Sequence, residues 1–221
     1  MKALIFDLDG TLIDTVFAHV LAWQRSFAEL KGLAVPAWSI HQKIGLSGRL
    51  LALAVGRELN QVILAEEAAQ LDQRHSAIMK EILLPQAPPL PGAAELLRDL
   101  RKRDIPHGIA TSSKRDDLAG PLKTLDVPRD AVIICADDVK DAKPEPDLFL
   151  SCSSRLGIPA ASCFAIGDAV WDMLAARRAG ILSIGLLTGG VDRDSLAEAG
   201  AYRVYHSPAE LHQRLFELGL D

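Results

Sequence analysis

The sequence predicts an α/β protein: a parallel sheet with helices on both faces, interrupted after its first strand by an all-helical insert. Three observations carry this. From about residue 92 onward, short apolar runs alternate with helical patterns, which is the signature of a parallel sheet covered on both faces. From about 15 to 84 the apolar spacing is helical throughout and no convincing strand occurs. Between these regions, Pro85 to Pro91 holds four prolines in seven residues, a stiff stretch that cannot be helical. The simplest division is a core of residues 1–14 and 86–221 with a helical unit, 15–85, inserted on a two-stranded hinge.

Taken in order, Ala3 to Phe6 is a continuous apolar run, as expected of a strand buried on both faces. Val16, Val20, Trp23, Phe27 and Leu30 then form a helical stripe, with Trp23 in the core of the insert. Asp14 is expected to cap this helix, and Gly32 to end it. A short helix follows Pro36. Gly45-Leu46-Ser47-Gly48-Arg49 breaks the pattern, and Leu50 to Leu59 resumes it. Leu64, Ala68, Leu71, His75, Ile78 and Ile82 mark a second long helix, with His75 expected at the edge of the core.

Beyond the prolines, Ala93, Leu96, Leu97 and Leu100 mark a helix. Strands are expected over 106–111, 131–135, 162–166, 181–186 and 202–205. Helices are expected over 113–124, 146–156, 169–178 and 208–218, with Gly157 and Gly180 at helix ends.

In such a sheet, ligands bind beyond the carboxyl ends of the strands. The residues there share a chemistry. Asp7 and Asp9 follow the first strand. Thr111, Ser112, Ser113 and Lys114 follow the second. Asp137 and Asp138 follow the third, with Lys143-Pro144 soon after. Gly167-Asp168 follows the fourth, and Asp172 lies one helical turn on. Each has an ordinary structural reading. Thr111 to Ser113 could cap a helix, Lys143 could be a surface lysine, Asp168 a turn residue, and Asp172 a first-turn acid. Asp137, Asp138 and Asp141 read as a mostly solvated patch. Together on one edge, the functional reading is stronger. Two carboxylates about 4 Å apart repel by roughly 4 kcal/mol at an effective dielectric near 20, so a cation is needed among them. Mg²⁺, which prefers oxygen ligands, suits the set.

The residue types suggest phosphoryl chemistry. Asp7 could attack phosphorus. Asp9 could protonate the leaving oxygen and later deprotonate water. Asp7, Asp168 and the carbonyl of Asp9 could hold Mg²⁺, with Asp172 orienting its waters. Thr111 and the amide of Ser112 could hold phosphoryl oxygens. Lys143 could place an ammonium against both phosphate and nucleophile. In the insert, Gly45 and Arg49 are candidates for substrate contact, Lys43 is a second candidate, and His19 stands near the hinge.

The set Asp7-Leu8-Asp9-Gly10-Thr11-Leu12, Thr111-Ser112, Lys143-Pro144 and Gly167-Asp168 with Asp172 resembles the four motifs of the haloacid dehalogenase (HAD) superfamily, over residues 1 to about 190. The resemblance implies a Rossmann-like three-layer αβα core, Mg²⁺, and an aspartyl-phosphate on Asp7. It also implies a C1-type cap, as in phosphoglycolate phosphatases and β-phosphoglucomutases. An acid at Asp9 favours phosphoryl transfer over dehalogenation, because an alkoxide leaving group needs a proton and a halide does not. The resemblance thus implies a Mg²⁺-dependent phosphatase for a small phosphorylated metabolite. A phosphomutase is the alternative, although Gly48 stands where the mutases place an arginine. A non-catalytic relative that binds a phosphometabolite or a partner protein is a third possibility, weakened by every motif position being intact.

Composition bounds the rest. Of 221 residues, 49% are hydrophobic and 24% charged, and the net charge is −5 with no basic run suited to nucleic acid. No apolar run approaches a membrane span, and the amino terminus does not read as a secretion signal. Cys135, Cys152 and Cys163 form no C-x-x-C pair and suit a reduced, cytoplasmic setting. Monomer and homodimer fit the sequence equally.

Overall fold

The structure, a computed structural model, describes residues 1–82 and 87–220. Six strands form one all-parallel sheet: β1 (Ala3–Phe6), β2 (His107–Ala110), β3 (Val132–Ile134), β4 (Cys163–Gly167), β5 (Leu182–Leu186) and β6 (Ala201–Tyr205). The order is β3-β2-β1-β4-β5-β6, with β1 in the middle. Its alternation serves two cores. Leu4 and Phe6 join the cluster under α5 (Ala93–Lys102) and α10 (Pro208–Gln213). Ala3 and Ile5 face the other cluster, under α7 (Asp147–Leu156) and α8 (Val170–Arg178). Burying side chains such as Phe6 and Ile5 contributes roughly 1.5–3 kcal/mol each. The Rossmann-like three-layer expectation holds.

Register sets the site. Phe6 pairs with Ile109 on one side and with Ile166 on the other. Asp7, Thr111 and Asp168 therefore leave their strands at nearly the same height. The Asp7 amide still donates to Ile166 O at 2.8 Å, and the Thr111 amide to Ile134 O at 2.9 Å.

Between β1 and α5 the described chain is helical: α1 (Val16–Lys31), α2 (Ala37–His41), α3 (Gly48–Glu58) and α4 (Ala65–Ile82). These helices share their own apolar cluster, including Val20, Trp23, Phe27, Leu51 and Leu71. The chain's two passages between this cluster and the sheet run side by side. The Asp14 amide donates to Pro88 O at 3.0 Å, and the Leu90 amide to Leu12 O at 2.9 Å. The side chain of Ile82 and the start of the proline-rich stretch at Pro85 lie outside the described residues, as does the 85/86 division.

Several expectations need correction. Asp14 does not cap α1: it is exposed, Thr15 takes the N-cap position, and the Thr15 hydroxyl turns to Asp9. Leu30 is 47% exposed. A 4-3-4-3 spacing lags an ideal helix by about 20° per seven residues, so the stripe has rotated off the core by its end. Leu64, 61% exposed, precedes α4 rather than packing on it. The helix expected over 113–124 is a 3-10 turn (Arg115–Asp117) and then α6 (Ala119–Thr124), because Pro121 lacks an N–H and fits only a first turn. A helix not foreseen, α9 (Arg193–Ala199), has an Asp192 cap accepting from the Ser195 amide at 2.9 Å.

Candidate active site

Beyond the ends of β1, β2 and β4, between the sheet and the helical insert, lies a cavity of about 500 Å³. At its floor the carboxylates of Asp7, Asp168 and Asp172 converge, with one oxygen from each lying within 4.8 Å of the others. Lys143, 0% exposed, stands among them. Its ammonium donates to Asp7 and lies 2.8 Å from Asp172 Oδ1. Asp172 Oδ2 accepts from the Ala169 amide at 3.0 Å, which fixes its orientation at the start of α8.

Asp168 is held from two sides. The buried Thr11 hydroxyl donates to its Oδ1 at 2.7 Å. Gly10, at φ +82°, and Gly189 leave room for it. A Cβ on Gly189 would lie 1.9 Å from Asp168 Oδ2.

The electrostatics follow from burial. Desolvation pushes Asp7 up to about 7, against the pull of Lys143 and with the repulsion of Asp172 and Asp9. Asp168 is driven well above the usual carboxylate range by burial, then by Asp172 and Asp7. Burial opposes the charge on Lys143, but Asp172 and Asp7 outweigh it and hold the amine above its ordinary value. One ammonium does not satisfy three buried carboxylates, and a hard divalent cation fits the all-oxygen donor set.

Asp9 stands apart from this cluster. Its oxygens accept from Thr15 Oγ1 and Ser113 Oγ, both at 2.7 Å, and His19 Nε2 lies 3.2 Å away. Burial works against its charge. The nearby His19 and the three hydrogen bonds prevail and hold the carboxyl well below the usual range. The Asp9 side chain is thus not among the clustered carboxylates.

The remaining candidates divide. Thr111 is buried at the cavity wall, and its Oγ1 accepts from the Ser113 amide at 3.0 Å. Ser112 Oγ donates to Gly45 O at 3.2 Å, tying the end of β2 to the insert. Gly45 lies close against Ala169 and Trp171. Arg49 is exposed at the cavity wall. Lys43 turns away: it pairs with Glu58 and donates to Ser39 O, so it does not reach the cavity. Asp137 and Asp141 are exposed as expected, yet both line the cavity.

His75 is not merely a core-edge residue. It is 8% exposed, stacks on Trp23 with ring centroids 4.4 Å apart, and its Nε2 lies 2.9 Å from His19 Nδ1. Burial, then His19, depresses its basicity well below the ordinary range. Gly189, Thr15 and Asp72 were not singled out from sequence, and Thr11 and Ser113 were named only within a motif and a turn, without the contacts they make to Asp168 and Asp9. The Thr11 position inside the first motif was the available signal; the others depend on long-range packing.

An all-parallel sheet with buried carboxylates at its carboxyl edge, a lysine among them and a helical insert above defines a hydrolase of the haloacid dehalogenase type. The family model for haloacid dehalogenase-like hydrolases matches residues 1–180, and the chain belongs to that family. Among solved structures it is similar to a hydrolase from Pseudomonas syringae, at 42% identity, covering 99% of both chains with a TM-score of 0.94. Among characterised relatives it is 31% identical to the validoxylamine A 7'-phosphate phosphatase of Streptomyces hygroscopicus subsp. limoneus, over 90% of this chain and 91% of that one. It is 33% identical to hexitol phosphatase A of Escherichia coli (strain K12), over 81% of this chain and 80% of the relative. The chain is an enzyme of the hydrolase class.

Proposed function

We propose that this chain is a Mg²⁺-dependent phosphatase that hydrolyses a small phosphorylated metabolite through an aspartyl-phosphate on Asp7. The observation that carries this reading is the buried trio Asp7, Asp168 and Asp172, with Lys143 as its internal counter-charge. The names of the two relatives, both phosphatases, support the same direction.

In the first half-reaction an Asp7 oxygen attacks phosphorus, and the bond to the leaving oxygen breaks. Thr111 and the Ser112 amide hold phosphoryl oxygens. Lys143 keeps Asp7 aimed and offsets charge on the transferring group. Asp9 gives a proton to the leaving oxygen. The bound phosphate, by placing negative charge nearby, favours the protonated form that this step requires. In the second half, water attacks the phosphorus of the aspartyl-phosphate while Asp9 takes its proton, releasing inorganic phosphate and restoring Asp7. Asp7, Asp168 and the Asp9 carbonyl would hold Mg²⁺, which supplies charge stabilisation when bound.

The test is Asp7→Asn. Turnover of a generic aryl phosphate is expected to fall by about 10³-fold or more, with the circular dichroism spectrum unchanged. Wild-type-like turnover in this variant, or full activity in excess chelator, would overturn the proposal.

A further inference from the structure

The wall of the cavity above Asp7 is set by Asp72, on the inner face of α4. Its side chain is 13% exposed, and its Oδ2 lies 2.6 Å from Lys114 Nζ, just beyond the Thr111–Ser113 turn. Its other oxygen packs against Gly48, the first residue of α3. A Cβ there would lie 1.9 Å from Asp72 Oδ1, so the carboxylate fills the place of a side chain at position 48. These two positions, a lysine beside the phosphate turn and the amino end of an eleven-residue helix, are where a second anionic group of a substrate would settle. The protein's own carboxylate occupies both.

The rest of the wall agrees. Apart from Asp7, Asp9 and Asp168, five carboxylates line the cavity against three cations, Lys114, Arg49 and Lys140. Arg49 and Lys140 are exposed, where solvent weakens their hold on an anion.

We infer that Asp72 determines the class of substrate, on the basis of the phosphatase reading of this cavity. The site takes phosphate monoesters whose leaving group is uncharged and polyhydroxylated. Asp72 Oδ1 accepts from the substrate's hydroxyls, and Asp72 excludes bisphosphates and phosphorylated carboxylic acids by like-charge repulsion and by holding Lys114. Asp72 acts on specificity, not on the bond-breaking step.

The experiment compares wild type, Asp72→Asn and Asp72→Ser. The readout is kcat/KM for sorbitol 6-phosphate against fructose 1,6-bisphosphate and 2-phosphoglycolate. Wild type is expected to prefer the sorbitol ester, and each variant to shift the ratio about tenfold or more toward the doubly anionic compounds. Adding Lys114→Met to Asp72→Asn should cancel that shift, since the freed ammonium causes it. Ratios within about twofold of wild type in both variants, or a wild-type preference for the bisphosphate, would overturn the inference. Dissociation constants of the same esters, measured by calorimetry with Asp7→Asn added to each protein, read the selectivity without turnover. Absence of phosphate release from any ester, aryl phosphate included, would sink the phosphatase reading, whereas an unchanged affinity ratio would sink the role of Asp72.

Discussion

Gly189 shows how one residue can matter through what it lacks. It lies after β5, far from any motif, yet its missing side chain is the space that Asp168 occupies. Gly189→Ala would collide with Asp168 as far back as its Cβ, at 2.8 Å, so the whole residue must shift. The expected result is a rise of about tenfold or more in the Mg²⁺ concentration for half-maximal activity, with Tm lowered by only a few degrees. Metal titration alongside a melting curve checks both. The contrast with Asp168 explains what the sequence reveals at this scale. Asp7, Thr111 and Asp168 could be placed because each stands at the end of a strand-like run, so short-range pattern locates it; Asp172 follows Asp168 by one helical turn, and Lys143 was marked by the Lys143-Pro144 motif. Gly189, His75 and Asp72 could not. His75 meets His19 across 56 positions, and Asp72 meets Gly48 and Lys114 only once α4 has packed.

Among the elements, the helical insert has an apolar cluster of its own. Phe27 is fully buried in the cluster shared by α1, α3 and α4, which is separate from the two cores flanking the sheet. Phe27→Ala is expected to cost about 3–5 kcal/mol, the transfer of the ring plus the cavity it leaves. Urea denaturation followed by fluorescence and by activity should then give two separated transitions, the earlier one belonging to the insert. The strands were legible to within a residue or two because β1, β2 and β4 are apolar on both faces and cannot be read as amphipathic helices. The segment after β2 was misjudged because Pro121 and the hydroxyl contacts of Thr111 and Ser113 compete with helix formation there. The short α9 carried its signal in Asp192 and Gly200, a cap at each end, rather than in an apolar stripe.

Across the whole molecule, stability is linked to protons. Burial raises Asp7 from 3.8 to about 7, so the folded protein holds a proton there that the unfolded chain releases. The stability from that proton is complete below pH 3.8 and is lost as pH rises through about 7; Asp168 acts in the same direction. On the proposed metal reading, Mg²⁺ would compete with these protons and is expected to raise Tm more at about pH 8 than at about pH 5.5. Depressed His75 acts oppositely: its stability is present above 6.5 and is lost as pH falls. That effect is common to samples with and without Mg²⁺, so the difference between paired thermal melts isolates the carboxylates. A larger gain at the acid end would contradict the assignment.

One residue, Lys143, links the insert to Asp7. The Ser47 amide donates to the carbonyl of Lys143 at 3.2 Å, while the side chain of the same lysine bonds Asp7. On the proposed phosphatase reading, any outward movement of the insert that let product escape would therefore tug on the residue that steadies Asp7. On that reading, departure of phosphate and slackening of the Asp7 carboxylate would be a single event, and full readiness would return only once the next ester had drawn the insert back down.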